Sequence, residues 1–239
     1  MKLDDVKKLH QKKYRTDLRH FLVEGEHLVL ELQKAASRQP ALSDSQLFVT
    51  DAYADWVSPF ARTLVSTKQM AQLSDTKTPQ GILAVVPFLP PPRPQASERA
   101  IYLHEVQDPG NLGTILRTLA WFGGFRCLLS PGSVDPYNPK VVRSSMGAIF
   151  HVPIELDVTL DQVHQRYPRV ACLDMDGRAV HEPEFQAFDC YLFGNEARGV
   201  PRDQLAALNA KSFTIPGGGA IESLNLASAV NICIYELRR

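Results

Sequence analysis

Short apolar runs alternate with stretches of helical period along the whole chain. In its first part, Phe21-Leu22-Val23, Leu47-Phe48-Val49, Leu64-Val65 and Ile82–Val86 read as strands. Between them, apolar residues at Leu28, Val29, Leu32, Ala35 and Ala36 predict a helix, and helical stretches follow near 51–58 and 67–74. This alternation predicts a small α/β/α domain over residues 1–90. In the second part the predicted strands are Ile101–Leu103, Cys127–Leu129, Val170–Leu173, Tyr191–Phe193 and Phe213–Ile215. Helical patterns lie near 112–122, 139–146, 159–166, 201–208 and 224–237. Apolar strands separated by helices predict an α/β domain over 98–239, its mostly parallel sheet covered on both faces. Residues 87–99 hold five of the seventeen prolines and no apolar period, which places the domain boundary there.

Composition narrows the class without naming it. Hydrophobic residues make up 44% and charged residues 22%, as in ordinary globular proteins. No apolar stretch approaches the roughly 20 residues that span a bilayer, and the charged start MKLDDVKKLHQKKYR lacks the apolar core of a secretory signal. Cys127, Cys172, Cys190 and Cys233 each sit in an apolar run, the pattern of buried free thiols in a reducing compartment such as the cytoplasm. The seven histidines form no ligand cluster, so no metal is expected. A formal net charge of zero argues against nucleic acid as a partner. Its distribution argues the other way: residues 1–20 carry seven Lys or Arg against three Asp, a local +4. Such a segment attracts phosphate backbones, although composition alone reads it more simply as a solvated helical face.

In parallel sheets of this kind ligands bind beyond the carboxyl ends of the strands, so the loops there matter most. The first loop, His104 to Gly113, follows a strand and opens a helix; Asn111 is placed to cap that helix or to turn its amide toward a ligand. Arg117 lies six residues on, in a helix flanked by apolar positions, where an inward guanidinium would need a partner. The second loop, Phe193 to Pro201, carries glycines directly after a buried strand, which permits close backbone approach to a ligand. The third, Ile215 to Asn225, contains Gly217-Gly218-Gly219, and either Ser223 or Asn225 is placed to cap the last helix.

In order and spacing, the motifs PGNLGTILRT, LFGNEARGVP and IPGGGAIESLNLASAV resemble those of the SpoU, or TrmH-type, RNA 2′-O-ribose methyltransferases of the SPOUT superfamily. FLVEGEHLVLEL and TPQGILAVV resemble the start and end of the ribosomal-protein-like α/β/α domain with which many members bind RNA. The resemblance implies a trefoil-knotted methyltransferase domain working as a homodimer. It implies S-adenosylmethionine held by Phe193, Gly194, Ile215, Pro216, Ser223, Leu224 and Asn225. It gives Arg117 the central catalytic role, with Asn111, Glu196, Ser223 and Asn225 at the site. A guanidinium with a pKa above about 12 rarely deprotonates, so Arg117 is expected to polarise the ribose hydroxyl or grip a phosphate rather than act as a base. Glu196 is expected to steer Arg117 or Asn195. The segment Ser130–Ile154 resembles members acting on ribosomal RNA, which favours ribosomal over transfer RNA. Candidate RNA contacts are Lys7, Lys8, Lys12, Lys13, Arg15, Lys140 and Arg143. Two rivals remain: a non-catalytic RNA- or ribosome-binding protein retaining the fold, and a nucleotide-dependent oxidoreductase, for which the G-x-G-x-x-G turn is missing.

Overall fold

The computed structural model describes residues 1–90, 93–95, 98–221 and 223–239, so part of the proline-rich boundary segment lies outside the described residues. The chain forms two compact units, Met1–Pro90 with Asp135–His151, and Pro91–Val134 with Val152–Arg239.

In the first unit, α1 (Leu3–Lys8) and α2 (Lys12–Leu18) lead into β1 (His20–Glu24), then α3 (Glu26–Ala36), β2 (Gln46–Val49), β3 (Ala61–Leu64), α4 (Thr67–Leu73) and β4 (Ile82–Pro87). The strands lie in the order β1-β4-β2-β3, with β4 antiparallel to both neighbours and β2 parallel to β3. Leu22, Phe48, Leu83 and Val85 pack with Val6, Leu9, Met70 and Leu73 from the helices. The helical stretch expected over 51–58 is only a 3-10 turn at Asp51–Tyr53, because Trp56–Pro59 continue in irregular backbone toward β3.

Sequence reading placed all of 98–239 in one domain, yet Asp135–His151 belongs to the first unit. Two contacts account for this. Arg15, only 3% exposed, gives Nε and Nη2 to Asp135 Oδ2 at 3.0 and 2.6 Å. Tyr137 stacks on Phe88 with ring centroids 4.1 Å apart and packs against Phe21. The segment carries α6 (Pro139–Ser145), which presents Val141 and Val142 to the interior.

The second unit contains β5 (Arg99–Leu103), α5 (Pro109–Phe122), β6 (Phe125–Leu129), β7 (Ile154–Glu155), α7 (Leu160–Arg166), β8 (Val170–Ala179), β9 (Cys190–Phe193), α8 (Arg202–Ala207), β10 (Lys211–Thr214) and α9 (Leu226–Arg238). All of its strand pairs are parallel, in the order β10-β8-β9-β5-β6-β7. Ala100, Tyr102, Cys190 and Leu192 pack on one face with Val163 of α7 and Leu208. By alternation Arg99 and Ile101 face the other side, where the Arg99 guanidinium donates to the Leu237 carbonyl of α9. Burial pushes the Cys127 and Cys172 thiols up to about 12.

The strand expected over Val170–Leu173 runs on to Ala179, through Asp174-Met175-Asp176-Gly177, which looks like loop sequence. It does so because Arg178 and Ala179 pair with Phe213 and Thr214 beyond a register shift. A Cβ on Gly177 would lie 2.6–2.7 Å from the Ser212–Phe213 backbone, so this close approach needs glycine.

Near the start of the sheet lies a buried ionic network. Arg126, with a side chain 2% exposed, bonds Glu98 Oε2 at 2.9 Å and Glu155 Oε1 at 2.6 Å. Burial alone would raise the Glu155 carboxyl, but bonds from Arg166 and Arg126 hold it below the usual carboxylate range. Removing the arginine would take its cation from the sequestered Glu98 and leave Glu155 with Arg166 alone; breaking comparable buried pairs costs about 3–5 kcal/mol. Arg126→Ala is therefore expected to lower the stability of this unit by roughly 3 kcal/mol. Denaturant titration at neutral pH checks this; a loss below about 1 kcal/mol would place the network at the level of a surface ion pair.

Candidate active site

The order of the six strands creates one point where the connections diverge. From β5 the chain crosses through α5 to β6 on one side, and from β9 it crosses through α8 to β10 on the other. The crevice at such a reversal is where doubly wound sheets bind ligands. The loops leaving β5 and β9 are those of the first two sequence motifs, and they meet here.

The first loop is shaped by Glu105, whose backbone is left-handed at φ +50°. A non-glycine residue holds this conformation only under constraint from its surroundings. Its N–H donates to Ser130 Oγ at 2.7 Å, while its carbonyl accepts from Asn195 Nδ2 at 2.8 Å and Gln107 Nε2 at 2.9 Å. Three loops are thus tied at one residue. Asn195, 7% exposed, also accepts from the amides of Ala197 and Arg198, which folds the second loop into a tight turn closed by paired backbone bonds to Gly199. Arg198 reaches back from this turn to Glu105 Oε2 at 2.6 Å.

α5 is capped by Asp108, whose Oδ1 accepts from the Asn111 amide at 2.8 Å. Asn111 is therefore inside the helix, and its carboxamide is turned toward the other loops. Its Nδ2 donates to Glu196 Oε1 at 3.2 Å, and its Oδ1 accepts from Asn225 Nδ2 at 2.9 Å. Glu196 also accepts from the amides of Gln107 and Asp108 at 3.3 and 3.4 Å, where a carboxylate suits the positive end of the helix dipole. Asn225 is the residue that caps α9, its Oδ1 accepting from the Ser228 amide at 3.3 Å. The hydrogen-bonded order Glu196–Asn111–Asn225 thus links all three motifs.

The other expected residues divide clearly. Phe193 is buried at the end of β9, and Gly194 sits directly below the turn: a Cβ there would lie 2.5 Å from the Gly199 carbonyl carbon. Ile215 is half-buried, while Pro216, Ser223 and Leu224 are exposed on the third loop, Leu224 at 45%. Arg117 is not brought into this cluster. Six residues at about 100° each turn it some 240° from Asn111 around α5, and it is exposed on the side that carries Trp121. Glu196 consequently engages Asn111 and two amides rather than Arg117 or Asn195.

The expected RNA contacts all lie in the first unit. Lys8, Lys12, Lys13 and Lys140 are exposed and Lys7 is half-buried; Lys7 and Lys8 pair with Asp4 and Asp5 within their own helix. Arg143 is half-buried and bonds Asp75 at 3.1 Å. Arg15 is a correction: buried, with its guanidinium taken by Asp135 and by the carbonyls of Leu9 and His10, it presents nothing to a phosphate. By charge the first unit holds fourteen Lys or Arg against eleven Asp or Glu, a net +3, and the second twelve against fifteen, a net −3.

Sequence reasoning missed the roles of Glu105, Gln107 and Ser130. Nothing local marks Glu105 as left-handed, whereas Asn195 before Glu-Ala-Arg-Gly carries a turn signal that was readable.

An all-parallel α/β sheet with three loops joined at its switch point defines a ligand-binding domain of enzyme type. The SpoU rRNA methylase family model matches residues 98–235, and that of the MRM3-like substrate binding domain matches residues 2–84. The chain belongs to the SpoU rRNA methylase family. It is 33% identical to the 23S rRNA (guanosine(2553)-2′-O)-methyltransferase RlmP of Bacillus subtilis over 99% of this chain and 96% of that one. Human mitochondrial rRNA methyltransferase 3 is 32% identical over 91% of this chain and 67% of its own length. An AdoMet-bound rRNA methyltransferase from Sinorhizobium meliloti superimposes with a TM-score of 0.83 at 28% identity, covering 99% of this chain and 93% of that one.

The second loop's turn depends on the missing side chain at Gly194. Gly194→Ala is expected to cost about 2 kcal/mol of stability, since backbone must move to admit the methyl group. Gly218→Ala, where the added carbon meets nothing within 4 Å, is the control and is expected to be neutral. Equal unfolding midpoints for the two variants would contradict the tight turn.

Proposed function

We propose that this chain methylates a ribose 2′-hydroxyl in RNA, using S-adenosylmethionine, and that the RNA is ribosomal. The observation that carries the reading is the Glu196–Asn111–Asn225 chain at the switch point. The names of the relatives in Bacillus subtilis and human mitochondria support ribosomal RNA over transfer RNA.

The site suits the cofactor. S-adenosylmethionine carries a sulfonium and an ammonium against one carboxylate, and the loops around the crevice bear the carboxylates of Glu105, Asp108 and Glu196. Ile215 and Leu224 offer apolar surface for an adenine, and Gly194 lets the Gly199 backbone close the second loop tightly. When bound, the cofactor supplies a methyl group on a positively charged sulfur. The protein has to hold the ribose oxygen in line and stabilise it as its proton leaves.

The carboxamides do that. Asn111 uses one Nδ2 hydrogen on Glu196, and Asn225 uses one on Asn111, so each keeps a second hydrogen for a ligand oxygen. N–H donors fixed beside a developing alkoxide stabilise it. Glu196 is a positioning residue, fixing which way Asn111 points. Asn111→Ala is expected to lower kcat about 100-fold, the scale of a lost oxyanion donor. Glu196→Gln is expected to lower it less, about tenfold, with cofactor affinity unchanged. Single-turnover methylation together with calorimetric cofactor binding checks both; a large loss of cofactor affinity in Glu196→Gln would count against the positioning role.

We further infer a homodimer formed through the outer face of α5 and α9. These helices pack together, with Thr118 Oγ1 donating to Asn231 Oδ1 at 2.6 Å. Their outer side leaves Trp121 at 85%, Tyr235 at 55% and Ile232 at 38% exposure, an apolar patch of the sort that marks an interface. Arg117 lies on that side, so a second copy covering it brings the guanidinium to the partner's site, where it polarises the ribose oxygen or grips a phosphate. The family match also supports a trefoil-knotted path for the chain around the third loop.

Mapping of 2′-O-methyl sites in ribosomal RNA from cells with and without the gene tests the activity. One lost site, restored by the wild type and not by Arg117→Ala, is the expected result, and an unchanged map would refute ribosomal RNA as substrate. Heterodimers of Arg117→Ala and Asn111→Ala chains, isolated through two different tags, test the partner's contribution. One intact site per dimer predicts about half of wild-type activity; a heterodimer as inactive as either parent would place Arg117 at its own chain's site.

A further inference from the structure

We propose that Arg198 grips the RNA phosphodiester beside the target ribose, and that Glu105 holds its guanidinium in place between turnovers. This inference rests on the methyl-transfer reading above and extends it to a residue outside the carboxamide chain.

The charge around the crevice carries the argument. The stretches 104–113, 193–201 and 215–225 contain four carboxylates, Glu105, Asp108, Glu196 and Glu222, and a single Lys or Arg, namely Arg198. That balance favours a cationic cofactor and opposes a polyanion. The second unit as a whole is net −3, so no general field compensates for it. A ribose 2′-hydroxyl cannot reach the site without its flanking phosphates, and these need a cation within hydrogen-bonding distance. In this protomer's loops Arg198 is that cation.

Its placement suits the task. Arg198 stands two residues from Glu196 on the same Asn195-anchored turn, so its Cα is fixed relative to the residue that orients Asn111. The side chain is 71% exposed and bonds Glu105 Oε2 at 2.6 Å. Glu105 is in turn the most constrained residue of the first loop, left-handed at φ +50° and bonded through its N–H and carbonyl to Ser130, Gln107 and Asn195. A strained residue held by three other side chains persists where its position matters. Here it aims a carboxylate at the guanidinium. Exposed ion pairs of this sort are weak, so a phosphate offering two oxygens to the planar fork displaces Glu105 at little cost.

A brace between two loops would use the same pair, and the variants separate the two roles. The probe is ribosomal RNA isolated from cells lacking the gene, titrated across a range of salt with wild type, Arg198→Ala, Arg198→Lys and Glu105→Gln, beside S-adenosylmethionine binding. Arg198→Ala is expected to raise KM for the RNA about tenfold, to leave cofactor affinity unchanged, and to lower the log–log salt slope by about one phosphate contact. Arg198→Lys is expected to regain the slope and most of the affinity. Glu105→Gln, which frees the guanidinium, is expected to bind RNA as well as or better than wild type. The proposal is overturned if Arg198→Ala keeps the wild-type KM and slope. It is overturned equally if Arg198→Ala and Glu105→Gln weaken cofactor binding together, which is the signature of a brace. Arg198-dependent RNA binding by a wild type that transfers no methyl group would sink the methyl-transfer reading and leave the phosphate grip standing.

Discussion

The pairing of β5 with β9 is the constraint on which the site depends. These strands are distant in sequence, yet the register Leu103↔Phe193 ends both at one level. Their loops therefore leave side by side, one opening α5 and the other folding into the Asn195 turn. If β9 lay elsewhere in the sheet, Glu196 would be nowhere near Asn111 and the start of α5 would face solvent. Both strands are buried throughout except at Arg99, so the apolar core that stabilises the sheet also fixes how far apart the two loops stand.

Much of this architecture was legible in the sequence, because buried parallel strands announce themselves as runs such as Tyr191–Phe193 and Ile101–Leu103. What escaped had a physical reason in each case. β7 has two residues, too few for any periodicity, and the far half of β8 is polar because only its backbone matters where Gly177 lies against β10. Asp135–His151 reads as continuous with its neighbours, since a contact such as Arg15 with Asp135 spans 120 residues and leaves no local trace. At the site, Asn111, Glu196 and Asn225 were identified by motif and are joined by hydrogen bonds, whereas Arg117 stands apart. Spacing along a helix gives distance and angle together, and at six residues the angle carries it to another face.

Two arginines show how little residue type says about role. Arg15 belongs to the most basic stretch of the chain and looks like a phosphate contact, but it is buried and fixed to Asp135 and two carbonyls. Arg198 sits among three loops whose combined charge is negative, yet it is the exposed one, held by a single weak pair. Burial and satisfaction, rather than local composition, decide which cation is available.

Asn225 has a consequence for how the protein comes into being. One carboxamide both terminates the third loop and starts α9, and α9 is seated against α5, the helix that carries Asn111. The crevice therefore lacks its third wall until translation has passed α9 and that helix has docked. A nascent chain with β5, β9 and both of their loops already folded would still be inert. The order of synthesis itself delays the onset of activity until α9 is in place.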